Sequence, residues 1–456
     1  MRRGPRDSAR GCNWVFVVFC CIASFRVWGQ GEVRPRYVPP GDLPVYETKY
    51  YLMYTDLGSE ARKEAEIRVN RMAEEYHERT RDFAGTISQK LPFALYRRPE
   101  DYWAAGGIPG TEGVFVRDTG RGDRLLAIAG ERTDGRTWHV IQHEGFHQFA
   151  TAVIGGDMPM WVNEGMAEYF GESLFTGDSF VSGIIPPRRA QRVKDRMAGK
   201  DAQGREVQRF KSVRDMMLTS HEQWNAEMNV ANYDQAWSMV QFLAHGDEGK
   251  YRRAFGAFMV ALSRGKAWAA AWKENFGSAE GFEEKWRAWW ESLPASPTQG
   301  LYAKAAASIM TSFLGRAYGQ KQTFDGFEEF ATAGEAGDVK TGADWLPPAL
   351  LKDALAFAKA MPAWSIQPTP GNVKQPQILG VLKDGTRVTG VFVLRGARVE
   401  KILVDVDETA VVVARARELI GKGEKGRARG MLQEALKEHP KSAAAGEARK
   451  ALLETK

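Results

Sequence analysis

The sequence predicts an α+β protein in which a small mixed sheet precedes a mostly helical part. Residues Tyr46–Thr55 alternate enough to predict a strand, and Phe93–Tyr96 predicts a second short one. Between them, Gly58–Phe83 carries its apolar residues at helical spacing. Residues 205–293 contain long apolar stretches at the same spacing, which predict helices. We therefore predict one domain over residues 45–295.

Two segments after this domain differ in their predicted structure. Residues 296–375 contain no usable motif, and their glycine, aspartate and proline content predicts a loosely packed connector. Residues 376–408 predict a small β unit, because two apolar runs flank Asp384-Gly385, which is a strong hairpin signal.

The last segment, residues 409–456, predicts a helical hairpin with Pro440 between its two helices. The pattern weakly resembles a single tetratricopeptide-like helical pair. Because one such repeat cannot bury its own apolar face, we expect it to pack on the β unit or on a protein partner. A solvated helical hairpin is the alternative that the sequence leaves open.

The first 29 residues have the pattern of a secretory signal peptide. Arginines at positions 2, 3, 6 and 10 precede an apolar run from Trp14 to Phe25, and a possible cleavage point follows at Gly29. The run is shorter than the roughly 20 residues that a membrane-spanning helix needs. We therefore expect an extracytoplasmic protein (secreted, periplasmic or in the cell envelope) without a stable membrane span after cleavage. An uncleaved anchor is the minority alternative.

Removal of residues 1–29 changes what the composition implies. All three cysteines lie in this segment, so the mature chain would form no disulfide and offer no cysteine ligand. The segment also holds five arginines and one aspartate, so the net charge of +6 falls to about +2. Clustered stripes of Lys and Arg with interleaved aromatics are lacking, and this argues against nucleic acid as a partner.

The pentapeptide His143-Glu144-Gly145-Phe146-His147 has the spacing H-E-x-x-H within a segment of helical pattern. Residues four apart lie on one face of a helix, so His143 and His147 can both ligate a single zinc ion. Glu144 is then placed to take a proton from a water molecule on that ion. The chain contains only seven histidines, so a chance occurrence of this pattern is improbable.

Two carboxylates four residues apart follow on a second segment of helical pattern. Because a catalytic zinc site takes three protein ligands, Glu164 is the natural third ligand. Glu168, one turn later, can accept the second ring N–H of a ligand histidine. His139 extends the histidine series, but eight residues of helix span roughly 12 Å, so we expect packing or support from it rather than ligation. The other histidines are expected at the surface: His77, His221, His245 and His439.

These residues resemble the gluzincin metallopeptidases, in which H-E-x-x-H is followed by N-E-x-x-x-[DE] on the next helix. The resemblance implies a gluzincin-like catalytic domain over residues 45–295 and adds Asn163 as the motif asparagine. The local pattern P-x-W-x-x-E-G-x-A-E-Y, from Pro159 to Tyr169, is similar to peptidase MA-like domains of secreted bacterial proteins. In this family one zinc ion is the cofactor.

Comparison with the aminopeptidase branch of the family adds Tyr233 as a candidate catalytic residue and argues against recognition of a free amino terminus. Tyr233 lies where that branch has a tyrosine that donates to the oxyanion, although a helix-start aromatic packed in the core has the same pattern. No G-x-M-x-N segment, which grips a free amino terminus, precedes His143. An endopeptidase is therefore expected, and an extended peptide could pair beside the strand Leu125–Ala129.

The sequence thus predicts a zinc-dependent peptidase that acts on a peptide or protein substrate. The alternative is a non-catalytic binding or scaffold protein of the cell envelope that retains a peptidase-like fold. The intact Glu144 favours the enzyme.

Overall fold

The computed structural model describes residue 39 and residues 43–118, 122–129, 135–155, 158–227, 229–359 and 363–456. Within these residues the fold is mixed α+β, as predicted from the sequence. The predicted signal peptide, residues 1–29, lies outside the described residues. In the described part of the chain, no helix combines the length and the apolar character needed to cross a lipid bilayer.

The N-terminal part is a five-stranded mixed sheet with two helices. Its elements are β1 (Val45–Glu47), β2 (Tyr51–Thr55), α1 (Ser59–Thr80), β3 (Leu91–Tyr96), α2 (Pro99–Ala104), β4 (Gly113–Val116) and β5 (Arg124–Ile128). The strand order is β1-β2-β3-β5-β4. The three inner strands are parallel, while β1 and β4 add antiparallel at the edges. The single strand predicted at Tyr46–Thr55 is therefore an antiparallel pair, β1 and β2.

The central part is helical. It contains α3 (Gly135–Val153), α4 (Met160–Gly171), the short hairpin β6 (Leu174–Phe175) and β7 (Phe180–Val181), α5 (Pro187–Ala198), α6 (Val213–Leu218), α7 (His221–Glu227), α8 (Val230–Gly249), α9 (Arg252–Ser263), α10 (Trp268–Phe276) and α11 (Ala279–Ser292). Helix α4 packs between α3 and α8. The approach of α4 to α8 is close, because a Cβ atom on Gly165 would lie 2.5 Å from the carbonyl oxygen of Ala236.

The predicted loosely packed connector is wrong, because the chain continues as a buried helix, α12 (Gln299–Gly319). Every residue from Ala305 to Ala317 is buried. One face packs on the β7 region and the other on a C-terminal sheet. Small residues at these positions permit close packing: a Cβ atom on Gly315 would lie 2.9 Å from the ring of Phe392.

Two more helices and the C-terminal sheet follow α12. They are α13 (Phe327–Ala336), α14 (Pro348–Lys359), β8 (Ala363–Thr369), β9 (Asn372–Val381), β10 (Arg387–Arg395) and β11 (Arg398–Asp407). The sheet is antiparallel, in the order β11-β10-β9-β8. The hairpin predicted at Asp384-Gly385 is present between β9 and β10, and Gly385 adopts a φ of 86° there. Strand β8 was not predicted.

The chain ends in three helices, whereas the sequence pattern predicted two. They are α15 (Thr409–Gly421), α16 (Lys425–Glu438) and α17 (Ala445–Glu454). The missed break is at Gly423, whose φ of 82° ends α15. The three helices share a hydrophobic cluster of their own. The main cluster, in contrast, extends from Tyr51 in β2 to Phe392 in β10.

Candidate metal centre

Helix α3 brings the two histidines of the H-E-x-x-H segment together in the interior. His143 and His147 are 1% and 2% exposed, and their rings lie nearly perpendicular, at 80°. The two Nε2 atoms are 3.1 Å apart. The four-residue spacing on a helix therefore directs both ring nitrogens to one point, as predicted from the sequence.

Glu164 of helix α4 lies next to the same two ring nitrogens. Its Oε2 atom lies 3.3 Å from Nε2 of His143 and 3.6 Å from Nε2 of His147. The carboxylate is fully buried, and its Oε1 atom has no hydrogen-bond partner in the described part of the chain. Among the described residues, these three side chains form the one cluster that could hold a metal ion.

The remaining ring nitrogens of both histidines have oxygen partners. Nδ1 of His143 lies 3.1 Å from Oε1 of Glu168, and Nδ1 of His147 lies 3.1 Å from Oδ1 of Asn163. The amide oxygen of Asn163 accepts the ring proton of His147, and the Glu168 carboxylate lies at ion-pair distance from Nδ1 of His143, where its charge favours a proton. A proton on Nδ1 leaves the lone pair on Nε2. Glu168 and Asn163 therefore hold both rings in the tautomer and orientation that suit metal ligation.

The donor set fits a catalytic zinc site. Bonds of about 2.0–2.1 Å in a tetrahedron put neighbouring donor atoms roughly 3.3–3.4 Å apart, and the observed separations run from 3.1 to 3.6 Å. Two Nε2 lone pairs at the shortest of these distances repel each other unless positive charge lies between them. Two histidines and one glutamate are also a donor set that catalytic zinc sites use.

The electrostatics of the cluster likewise favour a cation. Burial opposes ionisation of Glu164, but the charges and hydrogen bonds of His147 and His143 outweigh burial and lower its pKa to about 2. Burial opposes protonation of His143, but Glu164 and Glu168 outweigh it and raise its pKa to about 10. The carboxylates therefore hold positive charge at this point, either as a proton or as a metal ion.

Glu144 lies beside the donor cluster and is bound by the sheet. The backbone N–H of Phe115 in β4 donates to its Oε2 atom at 2.8 Å. Its Oε1 atom has no hydrogen-bond partner within the described residues. The side chain is fully buried, and this burial raises the pKa of the carboxyl group. One oxygen is thus fixed while the other can accept a proton.

The edge of the sheet near Glu144 is β4, not the strand expected from the sequence. The run Leu125–Ala129 overlaps β5, which lies between β3 and β4 and has no open edge. Val114 and Val116 are paired with β5, and the N–H of Phe115 points the other way, to Glu144. Strand β5 is thus closed to an added strand on both sides, whereas β4 is the outer strand of the sheet and uses the N–H of Phe115 to bind Glu144.

Tyr233 and His139 occupy different sides of the cluster. The ring of Tyr233, near the start of α8, lies 6.3 Å from the ring of His143 and packs edge-on against Trp224. Nε2 of His139 lies 3.8 Å from Glu168 and is not one of the converging donors. The structure thus places Tyr233 beside His143, and His139 beside Glu168.

His221, which the sequence analysis assigned to the surface, is half-buried at the start of α7. Its Nε2 atom is buried and has no hydrogen-bond partner within the described residues. Burial lowers the pKa of His221, Glu164 raises it, and the charges of His147 and Arg117 lower it further. The ring at the start of α7 is therefore within electrostatic range of the donor cluster. No ligand spacing in the sequence marks it.

Arg189 of α5 is a second residue that the sequence analysis missed. It is 5% exposed and contacts Glu168, Glu172 and Asp234. A signal was available, because Arg189 lies four residues before the buried Val193 and therefore on the apolar face of its helix. An arginine on an apolar face implies buried carboxylates to pair with it.

Comparison with known proteins yields one match. The family model described as "Protein of unknown function (DUF1570)" matches residues 138–268, which include every donor, Glu144, Arg189, His221 and Tyr233. No curated protein and no solved structure matches the chain. The matched segment begins in α3 and reaches α10, so the donor cluster lies within the part of this chain that is similar to the family.

Proposed function

We propose that this chain is a zinc-dependent peptidase of the gluzincin type, which acts outside the cytoplasm as an endopeptidase. The observation that carries the proposal is the convergence of His143 Nε2, His147 Nε2 and Glu164 Oε2 beside the buried carboxylate of Glu144. The order of the elements, a mixed sheet followed by the two ligand helices, is also similar to a gluzincin catalytic domain. The signal-peptide pattern of residues 1–29 supports the location.

His143, His147 and Glu164 would hold the zinc ion. When bound, zinc lowers the pKa of a water molecule toward 7 and polarises a carbonyl oxygen. Glu144 accepts the water proton through Oε1, which has no hydrogen-bond partner in the described residues, while the Phe115 N–H keeps Oε2 in place. The same carboxyl group can then donate the proton to the departing amine.

Two side chains on the helical side are placed to stabilise negative charge on the substrate carbonyl oxygen. Tyr233 lies against the His143 ring, and its hydroxyl is the donor that the resemblance suggests. His221 has a buried Nε2 atom that has no hydrogen-bond partner among the described residues, and it provides a second candidate. The substrate backbone would lie beside β4, the outer strand of the sheet.

The test is metal content and cleavage of a peptide library by the purified mature chain, compared with Glu144→Gln. We expect about one zinc ion in both proteins, and a loss of hydrolysis by roughly 10²–10⁴-fold in the variant. Glu283→Gln is the matched control, since its carboxylate also accepts a backbone N–H, from Val213, at 2.8 Å but lies outside the site.

Two outcomes would count against the proposal. If wild type binds zinc but cleaves no peptide, the non-catalytic scaffold becomes the better account. If it binds no zinc, the ligand assignment itself is wrong.

A further inference from the structure

Arg189 contacts three carboxylates, of which those of Glu168 and Asp234 are buried. Its Nη1 atom lies 2.7 Å from Glu168 of α4 and 2.7 Å from Glu172, the residue that follows α4, and its Nε atom donates to Asp234 of α8 at 2.9 Å. The guanidinium group also lies 4.2 Å over the ring of Trp237. A planar, permanently charged group is needed here, because it can direct separate N–H groups to separate carboxylates.

One arm of this arrangement reaches the candidate metal ligand His143. Oε2 of Glu168 contacts Arg189, and Oε1 contacts Nδ1 of the His143 ring. The carboxylate is therefore held from both sides. Without the guanidinium group it could rotate away from the imidazole, because its remaining described neighbour, His139, is 3.8 Å away.

The other arm reaches the helix that carries Tyr233. Asp234 is the next residue in α8, and its side chain is 1% exposed. Arg189 binds it from the interior, while Arg192 binds it from the surface with two contacts of 3.0 Å. The first turn of α8 is thus fixed relative to α5 at the place where Tyr233 faces the donor cluster.

We propose that Arg189 is a positioning residue that fixes two parts of the site: the His143 ring, through Glu168, and the Tyr233 turn of α8, through Asp234. This inference rests on the proposed metallopeptidase function. A purely structural ion pair would affect folding alone, whereas positioning affects metal affinity and turnover in chains that remain folded.

The first test measures zinc affinity by competition with a chelator, and the visible spectrum of the Co²⁺-loaded protein, for Arg189→Lys and Glu168→Gln. Lysine keeps the charge but cannot reach three carboxylates. We expect each variant to bind zinc about 10–100-fold more weakly and to shift the Co²⁺ bands. The double variant should lose no more affinity than the worse single variant, because both remove one contact.

The matched control is Arg192→Lys. It makes the same substitution on the same helix and beside the same Asp234, but Arg192 does not contact Glu168. We expect its zinc affinity and Co²⁺ spectrum to equal those of wild type. Glu168→Gln also covers the case in which Arg189→Lys does not fold, because it removes the same contact from the other side.

The second test addresses the Asp234 arm. Asp234→Asn should bind zinc as wild type does and lower kcat by about tenfold or more with little change in KM, since small displacements of a catalytic group cost this much. The inference fails if wild type binds zinc and Arg189→Lys matches it in affinity and spectrum, or if the Arg189 and Glu168 losses multiply. If wild type takes up no zinc, the proposed function fails instead.

Discussion

Two histidines that share one motif are oriented by different side chains. With a carboxylate at Nδ1 of His143 and an amide oxygen at Nδ1 of His147, the first ring would be the more basic ligand in the proposed zinc site. The two partners, Glu168 and Asn163, come from the same helix as the proposed ligand Glu164. One short helix therefore supplies a donor and orients both others, which explains why the motif residues are so close in sequence.

Replacement of Tyr233 by phenylalanine tests the proposed oxyanion donor. The ring would still pack against His143 and Trp224, so we expect unchanged zinc affinity and stability. Loss of a donor should reduce kcat by about 10²–10³-fold. Tyr51→Phe is the control, because that hydroxyl is buried in the sheet and bonds to no group in the described part of the chain. Equal kcat values for Tyr233→Phe and wild type would assign the tyrosine to core packing.

His245 predicts how stability depends on pH. It stacks on Tyr169, and its Nε2 atom lies 3.0 Å from that hydroxyl. Burial, followed by the charges of Arg252 and Arg79, lowers its pKa from 6.5 to about 4. The His245 imidazole therefore takes up a proton below about pH 6.5 in the unfolded chain, but only below about pH 4 in the folded chain. Stability from this group is complete at neutral pH and falls as the pH falls through that window.

The measurement is the free energy of unfolding in urea at pH 7 and pH 4.5, for wild type and His245→Gln. Glutamine can still bond to Tyr169 but does not titrate. Between the two pH values, wild type should lose roughly 2–3 kcal/mol more than the variant. If the free energies of unfolding of wild type and His245→Gln differ by the same amount at both pH values, this prediction is wrong.

At the scale of elements, the contact between α4 and α8 depends on Gly165. An added Cβ atom would lie 2.5 Å from a backbone oxygen of Ala236, which cannot move without the helix. Gly165→Ala should therefore separate the helix of Glu164 from the helix of Tyr233. We expect a loss of about 1–3 kcal/mol of stability from the overpacking, with weaker zinc binding by chelator competition.

Gly256→Ala is the matched control for that substitution. Gly256 also lies inside a helix, α9, but nothing lies within 4 Å of an added Cβ atom. Alanine has the higher helix propensity, so a gain of up to about 1 kcal/mol is expected there. If both variants unfold at the same urea concentration, an added Cβ atom at position 165 is tolerated. The close contact between α4 and α8 then does not fix the positions of Glu164 and Tyr233.

The elements nearest the site were the easiest to predict from sequence. H-E-x-x-H and the following N-E-G-M-A-E combine helical periodicity with chemistry, so both helices and six residues of the candidate site could be placed. Arg189 and His221 could not, because each reaches the site from a separate helix through tertiary packing. Helix α12 was missed for a different reason: its small residues resemble a linker, yet they allow burial on two faces.

At the scale of the molecule, α12 joins the part that carries the candidate metal centre to the C-terminal sheet. Arg316 of α12 binds Asp178 of the β6–β7 hairpin at 2.9 Å and the carbonyl oxygen of Asp344 at 2.7 Å. The Asp344 carboxylate in turn accepts the N–H of Val399 in β11. The Thr298 hydroxyl accepts the N–H of Ile185 at 2.9 Å. These contacts tie the segment between α4 and α5 to elements that follow residue 295.

Two truncations test which part of the chain is needed for folding, zinc binding and the proposed hydrolysis. A chain that stops at residue 295 lacks α12 and exposes the apolar surface around Val181 and Ile184. We expect it to be insoluble, or to unfold without a cooperative transition and to bind zinc weakly.

A chain that stops at Glu408 lacks only α15–α17, whose hydrophobic cluster shares no residue with the main one. It should unfold cooperatively and retain zinc binding and hydrolysis, as measured by circular dichroism, chelator competition and peptide cleavage. If the chain that stops at residue 295 unfolds cooperatively and binds zinc with normal affinity, the proposed site does not need α12. That result would contradict the role inferred for the contacts of Arg316 and Thr298.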